Sequence, residues 1–68
     1  MKYSVKLRTK GLFKANQYLI SCEDTNDLSS AFVIANELLI KSNAQDEYFA
    51  EIVDNTSGEK IAGINDAF

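Results

Sequence analysis

The sequence contains no histidine, tryptophan or proline, and only one cysteine and one methionine. Without histidine, the chain lacks both the usual general base at neutral pH and the imidazole ligand most common in metal sites. A single cysteine cannot form an internal disulfide, although small secreted domains usually depend on several. Cys22 therefore favours a reducing, cytoplasmic location, and its alternation with Tyr18 and Ile20 predicts a buried strand thiol.

The residues that remain do not form a recognisable catalytic set. The serines and threonines fall at predicted caps, turns and outward strand positions, and the neighbouring carboxylates Asp46 and Glu47 lack a pocket that would alter their chemistry. Gly11, Gly58 and Gly63 are isolated, so they do not make a phosphate-binding loop. We expect no enzymatic activity, no metal site and no cofactor.

Length and composition indicate one small globular domain spanning residues 1–68. The chain is 46% apolar and 25% charged, which is unlike a disordered segment. A domain of this size buries only about 60% of the surface that its unfolded chain exposes, so we expect one core. The sequence has no apolar run long enough for a signal peptide or a membrane span, which predicts a soluble, untargeted protein.

The first part of the chain predicts a β-hairpin. Residues 2–8 alternate between apolar and polar side chains, as a half-buried strand does. A second alternating run follows the Gly11 region. Pairing Val5 with Tyr18 and Tyr3 with Ile20 would place the apolar side chains of both strands on one face.

A helix is predicted next, beginning in the acidic segment 23–27 and ending near Ser42 and Asn43. The segment is rich in N-cap residue types and places negative charge where a helix dipole favours it. Val33, Ile34 and Ile40 lie beside the main apolar stripe, so part of the apolar surface is expected to be exposed. The stripe itself has helical spacing and consists of Leu28, Ala31, Phe32, Ala35, Leu38 and Leu39.

A second hairpin completes the pattern, with strands over 47–54 and 59–64 joined by a turn over 55–58. The order β-β-α-β-β predicts an α+β two-layer sandwich, with one helix packed on a four-stranded antiparallel sheet. Residues 65–68 are expected to be a frayed tail. The predicted core comprises Tyr3, Val5, Leu7, Tyr18, Ile20, Leu28, Phe32, Ala35, Leu39, Tyr48 and Ile52.

The face of the sheet away from the helix is predicted to carry apolar side chains that nothing in the chain covers. These are Leu19, Phe49, Val53, Ala62 and Ile64. A contiguous apolar patch of this kind usually marks an interface, either with a partner protein or in a homodimer. The candidate protein-binding residues combine this patch with nearby acids: Phe49, Glu51, Val53, Asp54, Ile64, Glu23, Asp24 and Asp27.

Both the acidic and the basic side chains have alternative interpretations. The acids of 23–27 can simply cap the helix. Residues 1–14 hold five of the seven basic side chains and no acid, and a basic sheet face with an aromatic residue can bind single-stranded nucleic acid. The residues for this alternative are Lys2, Lys6, Arg8, Lys10 and Phe13. Glu47 and Glu51 are expected to neutralise part of that face, and the net charge of −3 opposes phosphate binding.

The chain resembles the small acidic single-domain proteins of phages and other mobile elements, including anti-CRISPR and other host-takeover inhibitors. The resemblance covers the whole chain. It depends on the Met1-Lys2-Tyr3 start, the acidic residues of 23–27, the compact β-β-α-β-β unit and the lack of a catalytic set. These inhibitors share no common fold, so no site residue is transferred from them. The resemblance implies a non-enzymatic module that covers a surface of a nucleic-acid-handling host complex; a dimeric accessory subunit is a further alternative.

Overall fold

The computed structural model describes residues 1–11, 17–42 and 47–65. Its elements are β1 (Tyr3–Thr9), β2 (Leu19–Thr25), α1 (Leu28–Ser42), β3 (Tyr48–Asp54) and β4 (Lys60–Ile64). All strand pairs are antiparallel, and the spatial order is β2-β1-β3-β4. The predicted α+β sandwich of one helix on a four-stranded sheet is therefore confirmed.

The helix joins β2 to β3, which run parallel to each other on the two sides of β1. It packs mainly on the two central strands, β1 and β3, and less extensively on β2. The strands β2 and β4 are the two edges of the sheet. This position matters because an edge strand pairs with only one neighbour and presents its remaining backbone groups outward.

The core lies between the central strands and one stripe of the helix. Alternate strand residues supply its sheet side, as expected for a sheet covered on one face. Alanines 31 and 35 supply much of the helix side, and their small side chains allow the helix to approach the sheet closely. The fully packed cluster consists of Val5, Leu7, Ala31, Ala35, Leu39, Ala50 and Ile52.

The predicted register of the first hairpin is wrong. Val5 pairs with Glu23 and Tyr3 with Thr25, so β2 continues through residues that the sequence pattern assigned to the helix cap. The displacement is an odd number of residues, which moves the side chains from Ser21 to Thr25 to the opposite face. The bulge at Ile20 returns Leu19 to the outer face, opposite Arg8, as predicted. The sheet tolerates a polar residue such as Glu23 on its helix side because β2 lies at the edge, where the helix covers little.

The second hairpin has the predicted turn, and its second strand contains a bulge. Gly58 adopts a φ of 76° and donates its N–H to Asp54 O at 2.7 Å, as the turn prediction requires. Ile52 pairs with Ala62, whereas Val53 pairs with Lys60, so Ile61 is an extra residue in β4. Such a bulge moves the following residues to the other face.

The helix begins where predicted, directly after the acidic segment, but turns a different stripe toward the sheet. Asp27 is its N-cap: the Ser30 N–H donates to Asp27 Oδ2 at 2.9 Å. Leu28 and Phe32, both predicted to be in the core, are exposed. The helix packs on the sheet through Ala31, Ala35 and Leu39. Phe32 lies beside this stripe and is not part of it.

Three further expectations concern residues outside the described ranges. They are the position of Phe13, the exact end of the helix at Asn43, and the frayed tail as far as Phe68.

Candidate protein-binding surface

The outer face of the sheet, away from the helix, is more polar than predicted. Its central row runs from Cys22 through Lys6 and Glu51 to Gly63 across the four strands. The Arg8 Nε donates to Glu51 Oε1 at 2.7 Å, and both side chains are partly buried. The expected neutralisation of the basic stripe by Glu51 is thus confirmed for Arg8.

Phe49 lies on the outer face but is only 3% exposed. The expectation that it offers an open apolar surface is therefore wrong. Val53, on the same strand and face, is half-buried. A side chain as buried as Phe49 contributes to folding first, so it is a poor candidate for a contact with a partner.

Ile64 and Ala62 do not belong to the outer face. Both are partly buried and pack against the core cluster on the helix side. The bulge at Ile61 is the physical cause, because it reverses the alternation that the sequence predicts for the end of β4.

Two of the candidate acids have structural tasks within the chain. Asp27 caps the helix, accepting hydrogen bonds from both the N–H and the Oγ of Ser30. Asp54 lies half-buried at the start of the second turn, where its Oδ1 accepts the Thr56 N–H at 2.8 Å. Capping, rather than partner binding, explains why these carboxylates lie where they do.

Glu23 and Asp24 lie next to each other on β2, and both are exposed. Asp24 is on the outer face, where its Oδ1 accepts a hydrogen bond from Ser4 Oγ at 2.7 Å. Glu23 lies on the helix side of the strand, opposite Val5. The two carboxylates therefore form a negative end on the edge strand, with one charge on each face.

The residues of the nucleic-acid alternative do not form an open platform. Arg8 is in the ion pair with Glu51 and also donates from Nη1 to Gln17 O at 3.4 Å. Lys6 and Lys10 are partly buried, and Lys2 is exposed beyond the start of β1. Phe13, the predicted stacking residue, lies outside the described ranges.

The most exposed apolar segment among the described sheet residues is around the start of β2, where the sequence pattern predicted Tyr18 and Ile20 in the core and Leu19 on the outer face. Tyr18, Leu19 and Ile20 are 65%, 51% and 50% exposed, respectively. Leu19 and Ile20 begin β2, and Tyr18 immediately precedes it, at the end opposite to Glu23 and Asp24. These residues lie at or beside the bulge of an edge strand that pairs only with β1, and no local pattern in the sequence specifies this register.

The helix adds a second exposed apolar surface. Its exposed side chains are Leu28, Phe32, Val33 and Ile40. The sequence pattern correctly indicated that Val33 and Ile40 lie beside the stripe.

Within the described ranges, no group of three or more histidine, cysteine, aspartate or glutamate residues is placed to hold a metal ion. Cys22, predicted to be buried, is an exposed free thiol on the outer face. It belongs to the edge strand, where the register shift has turned it away from the core.

Comparison with protein-family models, curated proteins and solved structures finds no match to this chain. In the part of the chain that the structure describes, no helix has the length and apolar character needed to cross a membrane.

Proposed function

We propose that this chain is a non-enzymatic protein-binding module that contacts its partner through β2. The surface involved, called here the β2 edge, consists of residues 18–24. The observation that carries the proposal is the exposure of three consecutive large apolar side chains, Tyr18, Leu19 and Ile20, around the start of an edge strand. Exposed apolar side chains that cluster in this way are typical of interaction sites.

The sequence resemblance to phage-type inhibitors supports a particular mode of action. A module of this size acts by occupying a surface of a larger protein, and the β2 edge offers both apolar contact and negative charge for this purpose. A basic surface that normally binds nucleic acid would complement Glu23 and Asp24, since opposite charges accelerate encounter and orient the partners. We therefore propose a nucleic-acid-handling complex as the target.

Ile20 and Ile61 provide a matched pair for testing the surface. Each is the extra residue of a bulge on an edge strand, and each is an exposed isoleucine, 50% exposed for Ile20 and 44% for Ile61. Replacing either one with serine removes a similar apolar side chain at a similar structural position. Only Ile20→Ser alters the β2 edge.

The experiment is an affinity capture from lysate of the source cells, with and without nuclease, using the wild-type chain, Ile20→Ser and Ile61→Ser as baits. The proposal predicts a protein that survives nuclease treatment, is retained by Ile61→Ser and is lost with Ile20→Ser. Capture that disappears with nuclease would contradict the proposal and favour the nucleic-acid alternative. Equal capture by both variants would show that the β2 edge is not the binding surface.

A further inference from the structure

Among the described residues, the backbone of β2 pairs only with β1, so a defined set of its groups points to the outside of the sheet. In an antiparallel pair, alternate residues turn their N–H and C=O groups toward the neighbouring strand. The Thr9 N–H donates to Tyr18 O at 3.0 Å, on the β2 side of β1, whereas the Lys10 N–H donates to Glu47 O at 2.8 Å, on the β3 side. The backbone N–H and C=O groups of the odd-numbered residues of β1 therefore point toward β2.

The register then identifies the outward groups of β2. The odd-numbered residues of β1 pair with Ser21, Glu23 and Thr25, so those three residues direct their backbone groups to β1. The N–H and C=O groups of Cys22 and Asp24, which lie between them, point away from the sheet. An extended chain beside β2 would find two residues with their donors and acceptors ready to pair.

The side chains along this edge change character from one end to the other. Leu19 and Ile20 make the first end apolar, and Glu23 and Asp24 make the second end negative. The strand contains no lysine or arginine. A second copy of β2, paired antiparallel over the full strand, would place its acids against the apolar end of the first copy, with no basic side chain to balance them.

We infer that the β2 edge binds an extended segment of the partner by strand addition, and that this segment is basic at one end and apolar at the other. The inference rests on the proposed function and specifies the partner's chemistry. In the antiparallel orientation, the segment begins with basic residues beside Asp24 and Glu23. It continues with apolar residues beside Cys22 and Leu19. Main-chain pairing supplies affinity, and the alternating side chains supply specificity.

A synthetic peptide with this pattern is the direct probe. The peptide acetyl-Thr-Lys-Lys-Val-Thr-Leu-Thr-amide places its two lysines beside the acids and its apolar residues beside the other end. A control peptide carries glutamate in place of both lysines. Each is titrated into the isotope-labelled chain while backbone amide signals are recorded by nuclear magnetic resonance.

Two variants at one position separate backbone pairing from side-chain contact. Cys22→Pro removes the outward N–H without removing a hydrogen bond to β1, and proline is tolerated at such edge positions. Cys22→Ala removes the thiol and keeps the N–H. We expect wild type and Cys22→Ala to bind the lysine peptide with similar affinity, and Cys22→Pro to bind it at least about tenfold more weakly.

A charge exchange keeps the test valid if the proline variant does not fold. Glu23→Lys should weaken binding of the lysine peptide and strengthen binding of the glutamate peptide. This exposed side chain lies on the edge strand and not in the packed core cluster, so the fold should persist. Unchanged peptide preference would overturn the assignment of the basic end.

The remaining outcomes are also decisive. Strand addition would be overturned if the peptide did not bind, or if it shifted amide signals but not those of Cys22 and Asp24. Binding to folded Cys22→Pro with wild-type affinity would also overturn it. If the β2 amide signals change with protein concentration in the absence of peptide, a second copy of the chain occupies the edge, which would also overturn binding of a partner segment. A cellular partner captured equally by Cys22→Pro and Cys22→Ala, yet lost with Ile20→Ser, would remove strand addition while leaving the proposed function intact.

Discussion

Ile20 and Ile61 occupy corresponding positions on opposite edges of the sheet. Each is the extra residue where strand register shifts by one, and each side chain is exposed. Bulges of this kind interrupt an edge and reduce uncontrolled pairing with other chains. The two edges differ in what flanks the bulge: Ile20 follows Tyr18 and Leu19, whereas Ile61 follows Lys60. The apolar flank makes the β2 edge the stronger candidate for a partner.

Hydrogen exchange provides the first prediction, because the assignment of outward backbone groups can be measured residue by residue. The amides of Glu23 and Thr25 bond to β1 and should exchange slowly. Those of Cys22 and Asp24 face solvent and should exchange rapidly, close to the rate of an unstructured chain. Amide exchange followed by nuclear magnetic resonance tests this, and slow exchange at Cys22 in the isolated monomer would show that the edge is already covered.

The buried side chain of Phe49 leads to a prediction about stability. Although Phe49 lies on the outer face, a phenylalanine that is 3% exposed should be costly to remove. Phe49→Ala should destabilise the fold by about 3–5 kcal/mol, as truncation of buried phenylalanine usually does. Urea unfolding monitored by circular dichroism measures the loss, with Phe32→Ala, at an exposed helix position, as the milder control. Loss of less than about 1 kcal/mol at Phe49 would contradict its assignment as buried.

Removal of the helix cap should weaken the fold by a smaller amount. Asp27→Ala leaves the Ser30 N–H without its acceptor, which costs about 1 kcal/mol in typical helices. Asp27→Asn keeps a side-chain oxygen for the cap and should retain most of the stability. Equal losses for the two variants in thermal unfolding would assign the effect to charge instead of capping.

The ion pair between Arg8 and Glu51 provides a test of the nucleic-acid alternative. Since Arg8 is bound to Glu51 and Gln17 O and the net charge is −3, the chain should show no salt-sensitive binding to a single-stranded oligonucleotide. Glu51→Gln removes the negative charge beside Arg8 and is the informative comparison. Tight binding by the wild type that falls steeply with salt concentration, and is lost in Arg8→Ala, would restore the alternative.

The order of elements could be predicted from the sequence, whereas the faces of the edge strands could not. Alternation in residues 2–8 and 47–54 and the helical spacing around Ala35 are local patterns, and each corresponds to an element of the structure. The register of β2 depends on a choice between pairing Val5 with Tyr18 and pairing it with Glu23. Matching apolar residues with apolar residues favours Tyr18. The helix covers little of the edge strand β2, however, so β2 has less need of an apolar face.

The candidate surface was missed for the same reason. A single extra residue at Ile61 moves Ile64 from the outer face to the core side, and the register of β2 places Ile20 in a bulge, where it is exposed. No residue type marks either event in the sequence, because isoleucine suits both a buried strand position and a bulge. Glu23 and Asp24 were identified as candidates, and the structure places both on the exposed edge.

The affinity of the captured partner for Ile20→Ser, compared with Ile61→Ser, tests the central claim most directly. Both variants are first checked for unchanged thermal unfolding, and binding is then measured by calorimetry with the purified partner. The β2 edge predicts at least about tenfold weaker binding for Ile20→Ser, typical of losing a central interface residue, and wild-type affinity for Ile61→Ser. Equal affinities of the two variants would contradict it.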